Sequence, residues 1–139
     1  MQPARMHLRH DPSYWLLLFV LLALIYRPYA ACAITRTITD ADKEGSVQLE
    51  TGDILEVHLK SNPTTGYMWY VHAKSTHLLK LIGQSETQAP EPGVGRPVIQ
   101  IFKFQPRGPG DGLLLFHYVR SWEKPTPDEE QFDLHLSIK

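Results

Sequence analysis

The sequence is short of the features by which many small domains are stabilised or identified. Its 139 residues include one cysteine, Cys32, so no intrachain disulfide is available and stability must come from an apolar core. There is no block of Lys and Arg, and the aromatic residues are not interleaved with cations, which argues against nucleic acid as a partner. No window of eleven or more residues carries a helical apolar stripe. His58, His72, His77, His117 and His135 have no close metal-ligand spacing, and no nucleophile elbow, phosphate loop or pair of catalytic carboxylates is recognisable. An enzyme is therefore not expected, and neither a metal nor a cofactor.

Long apolar runs are also missing. The longest, Tyr14 to Tyr26, is shorter than the roughly twenty residues that span a bilayer as a helix. Arg5 and Arg9 precede it and Ala30-Ala31-Cys32-Ala33 follows, the outline of a secretory signal peptide. Residues 1–33 are expected to be a cleavable N-terminal apolar segment, cut before Ile34. Tyr29-Ala30-Ala31-Cys32 also loosely resembles a bacterial lipoprotein signal with Cys32 acylated, and a retained anchor is the third alternative. The expected location is secreted, periplasmic or the lumen of an endomembrane compartment, with membrane contact only through this segment or a lipid on Cys32. Without the segment, 11 basic and 14 acidic residues remain, a formal charge of −3. A domain of this size buries somewhat over 60% of the surface its unfolded chain exposes, enough to fold without staples.

What residues 34–139 do contain is alternation. Strands are expected at 34–39, 47–49, 54–60, 67–71, 78–84, 98–105, 113–120 and from Phe132 to Ile138. Their inward faces are read as Leu55, Val57 and Leu59; Tyr67, Trp69 and Val71; Phe102 and Phe104; Leu114, Phe116 and Tyr118; and Phe132, Leu134, Leu136 and Ile138. The expected fold is all-β: an immunoglobulin-like antiparallel β-sandwich of 7–8 strands, with a small barrel as the alternative. The same phases point His58, His117 and His135 outward, and put His117 and His135 on one side of neighbouring strands as a solvated pair.

Three loops stand out, Ser61–Gly66, Gln88–Pro97 and Arg120–Glu130, and in a sandwich they could gather at one end on a rigid scaffold. The first carries Asn62-Pro63-Thr64-Thr65-Gly66-Tyr67. Pro63 fixes its own φ and drives Asn62 towards extended backbone, Gly66 supplies a positive φ, and the β-branched threonines lose little χ1 freedom when held. This hexapeptide is a stiff presenter of two hydroxyls. Asp128-Glu129-Glu130, in the third loop, reads as a solvated acidic stretch.

Taken together, these stretches resemble the chagasin family, protein inhibitors of papain-like cysteine peptidases. Asn62 to Tyr67 matches the family's first loop, Asn-Pro-Thr-Thr-Gly plus an aromatic, in full, with Trp69 in place downstream. Gly93-Val94-Gly95-Arg96 partly matches the second, Gly-x-Gly-Gly. Arg120-Ser121-Trp122 keeps the Arg and Trp of the third, Arg-Pro-Trp. The resemblance implies a monomeric, reversible, tight-binding inhibitor whose three loops occlude the peptidase cleft. Thr64 and Thr65 would lie nearest the catalytic thiolate, Gly93 to Arg96 along one wall and Trp122 against the other, with Arg120 bonded within its loop or to the enzyme rim. The alternative is a non-inhibitory immunoglobulin-like adhesion or binding module.

Overall fold

The computed structural model describes residues 15, 18–20, 32–88, 97–124 and 126–139. The chain divides into two units, Met1–Ala31 and Cys32–Lys139. In the first, residues 15 and 18–20 are helical, and the other expectations for the N-terminal run lie outside the described residues. Among the described residues no helix is long and apolar enough to cross a membrane.

The described residues of the second unit form eight strands: β1 (Thr35–Thr39), β2 (Gly45–Leu49), β3 (Ile54–Ser61), β4 (Tyr67–Val71), β5 (Leu79–Gln88), β6 (Val98–Pro106), β7 (Gly110–Arg120) and β8 (Glu130–Ile138). Short 3-10 turns occupy Asp40–Asp42 and Pro63–Thr65. The strands form two separate four-stranded sheets, in the orders β1-β3-β6-β5 and β2-β8-β7-β4, so the architecture is a sandwich and not a closed barrel.

Alternation produces this core directly. Leu55, Val57 and Leu59 of β3, Phe102 and Phe104 of β6, Leu114 and Phe116 of β7, and Phe132, Leu134, Leu136 and Ile138 of β8 are all buried. Each such side chain contributes about 1.5–3 kcal/mol relative to exposure. Their rings interlock across the two sheets: Phe116 of one lies 4.9 Å from Phe102 and 6.1 Å from Phe104 of the other, and 6.1 Å from Phe132 of its own.

Three details depart from the sequence expectation. The ladder is antiparallel except at two edges, where β1 runs parallel to β3 and β2 parallel to β8. Side-chain phase says which face a residue takes and nothing about strand direction, which the crossover through Asp40–Asp42 sets here. β5 runs to Gln88, past a bulge between Leu81 and Gly83, because backbone pairing with β6 continues where inward apolar residues stop. The outward histidines do not form a pair: His117 lies opposite Gln131, and His135 opposite Leu113. His117 instead neighbours His72, with ring centroids 5.1 Å apart.

The strand directions put the end of β3, the start of β4, the start of β6, the end of β7 and the start of β8 at one pole. At the other pole Asp53, buried in the turn before β3, accepts N–H bonds from Glu50 (2.9 Å) and Ile34 (3.1 Å). These two donors, Glu50 first, hold its carboxyl below the usual range. A depressed folded pKa means the stabilisation is present in full above the unfolded value, about 4, and is lost as pH falls through the folded one. Urea midpoints taken from about pH 6 to about pH 2 should drop below about pH 4. Asp53→Asn should start lower and show a shallower drop; parallel profiles for the two proteins would contradict the assignment.

Candidate functional site

The first loop begins as β3 ends. Asn62 keeps one antiparallel bridge to Tyr67, and the intervening residues close into a single 3-10 turn, Pro63–Thr65. Proline suits the first position of such a turn because its missing N–H has no partner to lose. Thr65 N donates to Asn62 O at 3.0 Å and Gly66 N to Pro63 O at 2.9 Å. Gly66 then takes φ 83°, a left-handed conformation that reverses the chain into β4. The hydroxyls turn inward as donors, Thr64 to Asn62 Oδ1 and Thr65 to Asn62 O at 2.7 Å. Both threonines remain exposed.

The third loop is bound to the first. Arg120, the last residue of β7, donates from Nε to Thr65 O at 2.9 Å and from Nη1 to Glu123 Oε1 at 2.8 Å. Its guanidinium carbon sits 4.4 Å from the centroid of the Tyr67 ring, within cation–π range. The bond to Glu123 leads the causes that raise the Arg120 pKa, so the charge persists at any working pH. Ser121 and Trp122 are exposed, Trp122 by 70%. The indole lies across Gly66 so closely that a Cβ there would collide with Trp122 Cη2.

Beneath the loops is a polar brace that sequence reasoning missed. Gln100 of β6 is fully buried and reaches across to the facing sheet. Its Oε1 accepts from Trp69 N at 2.8 Å and its Nε2 donates to Trp69 O at 3.5 Å. β4 is an edge strand paired only with β7, so Gln100 caps backbone groups that would otherwise be buried without a strand partner. Trp69 Nε1 donates to Lys60 O at 2.8 Å, and Asn62 N donates to the Tyr118 hydroxyl at 2.9 Å. The available signal was parity, since Gln100 falls in phase with Phe102 and Phe104.

Of the sequence-predicted site residues, Asn62, Pro63, Thr64, Thr65, Gly66, Tyr67, Arg120, Ser121 and Trp122 thus come together at one pole. Gly93, Val94, Gly95 and Arg96 lie outside the described residues. Among the described residues no three His, Cys, Asp or Glu side chains are grouped to hold a metal ion.

Comparison with known proteins gives a consistent result. The family model for the chagasin family peptidase inhibitor I42 matches residues 48–136. The chain is 28% identical over 109 residues to Amoebiasin-2 of Entamoeba histolytica, covering 76% of this chain and 85% of that one. It is 24% identical over 107 residues to Chagasin of Trypanosoma cruzi, covering 74% and 97%. Its fold is similar to that of the cysteine protease inhibitor EhICP2 from Entamoeba histolytica, with TM-score 0.69 and 22% identity over 81% of this chain and 100% of that one. For the Leishmania mexicana ICP structure the TM-score is 0.51 and the identity 28%, over 83% and 97%.

Two substitutions test the brace and the loop contact. Gln100→Leu leaves the Trp69 N–H buried without an acceptor and should cost about 1–3 kcal/mol by chemical denaturation; a neutral result would remove Gln100 from the brace. Gly66→Ala places a side chain at positive φ, a strain of about 1–2 kcal/mol. It should also displace the indole, read as a change in Trp122 fluorescence against a Trp122→Phe control.

Proposed function

Because this chain belongs to the chagasin family of peptidase inhibitors, we propose that it blocks papain-like cysteine peptidases by filling the catalytic cleft with the braced loop pole. It is an inhibitor and not an enzyme. The observation that carries the proposed binding mode is the Arg120 Nε bond to Thr65 O, with Trp122 folded over Gly66, because it makes the first and third loops one rigid unit.

A protein that enters a peptidase cleft must avoid being cut. Cleavage needs an extended segment whose scissile carbonyl oxygen can enter the oxyanion hole. In this loop the backbone is a 3-10 turn, and the carbonyls of Asn62, Pro63 and Thr65 already accept internal hydrogen bonds. Presenting any of these three to the enzyme requires breaking a bond that holds the loop together. The exposed Thr64 and Thr65, whose hydroxyl protons are engaged by Asn62, would accept from the catalytic imidazolium without offering a carbon to the thiolate. Preorganisation also limits the entropy lost on docking. Trp122 would pack on the cleft wall as an aromatic anchor, and Gly93 to Arg96 would line the opposite side.

The short apolar run after Arg5 and Arg9 supports export from the cytosol. Ile34 N donates to Asp53 Oδ1 at the pole away from the loops.

Titration of papain should give reversible, nanomolar inhibition, whereas an adhesion module of the same fold would give none at micromolar concentration. Trp122→Ala should weaken inhibition by about 2–4 kcal/mol, and Thr64→Ala should weaken it less, both with unchanged thermal unfolding. If both variants inhibit like the parent, the loop pole is not the binding surface.

A further inference from the structure

The third loop leaves β7 at Arg120 and enters β8 at Glu130, and residues 121–124 and 126–128 are exposed. At its near end Glu123 N donates to Arg120 O at 3.1 Å. Its far end has a hold of its own. Thr126-Pro127-Asp128-Glu129 closes a second four-residue turn, with Pro127 at the position that proline's fixed φ favours. Two reciprocal bonds shut it: Glu129 N donates to Thr126 O at 3.4 Å, and Thr126 N donates to Glu129 Oε1 at 2.6 Å. The side-chain bond is the stronger, being short and charge-assisted. The other carboxylate oxygen, Oε2, lies 3.7 Å from His117 Nδ1 of β7, and the His117 ring packs edge-on against Tyr70 and His72. The Glu129 side chain is accordingly only 13% exposed. Within the acidic stretch expected to be solvated, Asp128 and Glu130 are exposed, while Glu129 folds back on the sheet. Thr126 and Glu129 also share with Tyr67, Arg120 and Glu123 the lining of a cavity of about 50 Å³, so the two turns meet around one space.

We propose that Glu129 is a positioning residue for peptidase binding: by holding the far turn shut, it keeps the third loop, and Trp122 with it, in the docking geometry before the enzyme arrives. The inference rests on the inhibitory reading above and adds a residue that the loop motifs do not contain. Glu129 acts through the turn and not by touching the enzyme, since its carboxylate is engaged by Thr126 N and faces His117. Opening the turn adds loop states in which Trp122 is misplaced, and the apparent affinity falls with the fraction that stays competent. That loss falls on association, because a docked loop is held by the enzyme as well. Truncating a contacting side chain such as Trp122 instead speeds dissociation. What the turn requires of residue 129 is an acceptor for Thr126 N, which glutamine also supplies and alanine does not.

Rates of papain binding by the full chain test this. Glu129→Ala should associate about tenfold more slowly, with dissociation within about twofold of the parent's, and Glu129→Gln should match the parent in both. An alanine variant with the parent's association rate, an effect carried by dissociation, or a glutamine variant as slow as alanine would overturn the proposal. Amide hydrogen exchange needs neither the enzyme nor the alanine variant. In the free parent and in Glu129→Gln, the Thr126 N–H should exchange at least about tenfold more slowly than in an unstructured peptide. A parent that fails to inhibit papain at all would sink the inhibitory reading and the role in binding with it, whereas an unprotected Thr126 amide in an inhibiting parent would overturn the positioning role alone.

Discussion

The loop pole depends on one buried amide. A two-sheet sandwich is closed along its length by apolar side chains but is open at its ends, and β4, which carries the first loop into the second sheet, is an edge strand with one side unpaired. Gln100 supplies the missing pairing from the facing sheet, donating and accepting at the same residue, Trp69. A buried amide satisfied at both ends fixes the separation and register of the elements it joins, and its low-dielectric surroundings make any misalignment costly. The indole of that same tryptophan binds the Lys60 carbonyl, so both ends of the first loop are referred to a single residue of the core.

From Trp69 the constraint passes outward through aromatic contacts. Trp69 lies 6.5 Å from Phe132 and 5.0 Å from Tyr118, and Tyr118 lies 5.4 Å from Tyr67; Arg120 then covers Tyr67. The column runs from the centre of the core to the guanidinium that grips the loop carbonyl. Tilted and offset ring pairs each add about 0.5–1.5 kcal/mol beyond area burial. The loop at the tip is thus tied to core packing through these contacts, without a disulfide.

The core faces were legible in the sequence because period-two alternation is a one-dimensional record of which face is buried. The inward residues expected for β3, β6, β7 and β8 are buried, apart from the partial exposure of Tyr118. The first loop was legible too, since Pro63 and Gly66 constrain backbone torsions locally. What could not be read was set by residues distant in the chain. The parallel edges follow from the path of the chain between sheets, and the neighbours of His117 follow from register. The role of Gln100 follows from the facing sheet, as one polar residue at an inward position does not name its partner. Tyr118 falls on an inward face by sequence phase, yet its hydroxyl matters because it meets Asn62 N 56 residues away.

Ser121 shows how the third loop keeps its shape where the family pattern has proline. Glu123 N donates to Arg120 O at 3.1 Å, which makes Arg120 to Glu123 a hydrogen-bonded four-residue turn with Ser121 at its second position, the one proline favours. Proline there would stiffen the unfolded chain by about 0.4–1 kcal/mol. This chain has other restraints on the same turn, the Arg120–Glu123 ion pair and the Arg120–Tyr67 contact. Arg120 is committed to Thr65, Tyr67 and Glu123 within the inhibitor, and the indole lies over Gly66 with most of its surface exposed.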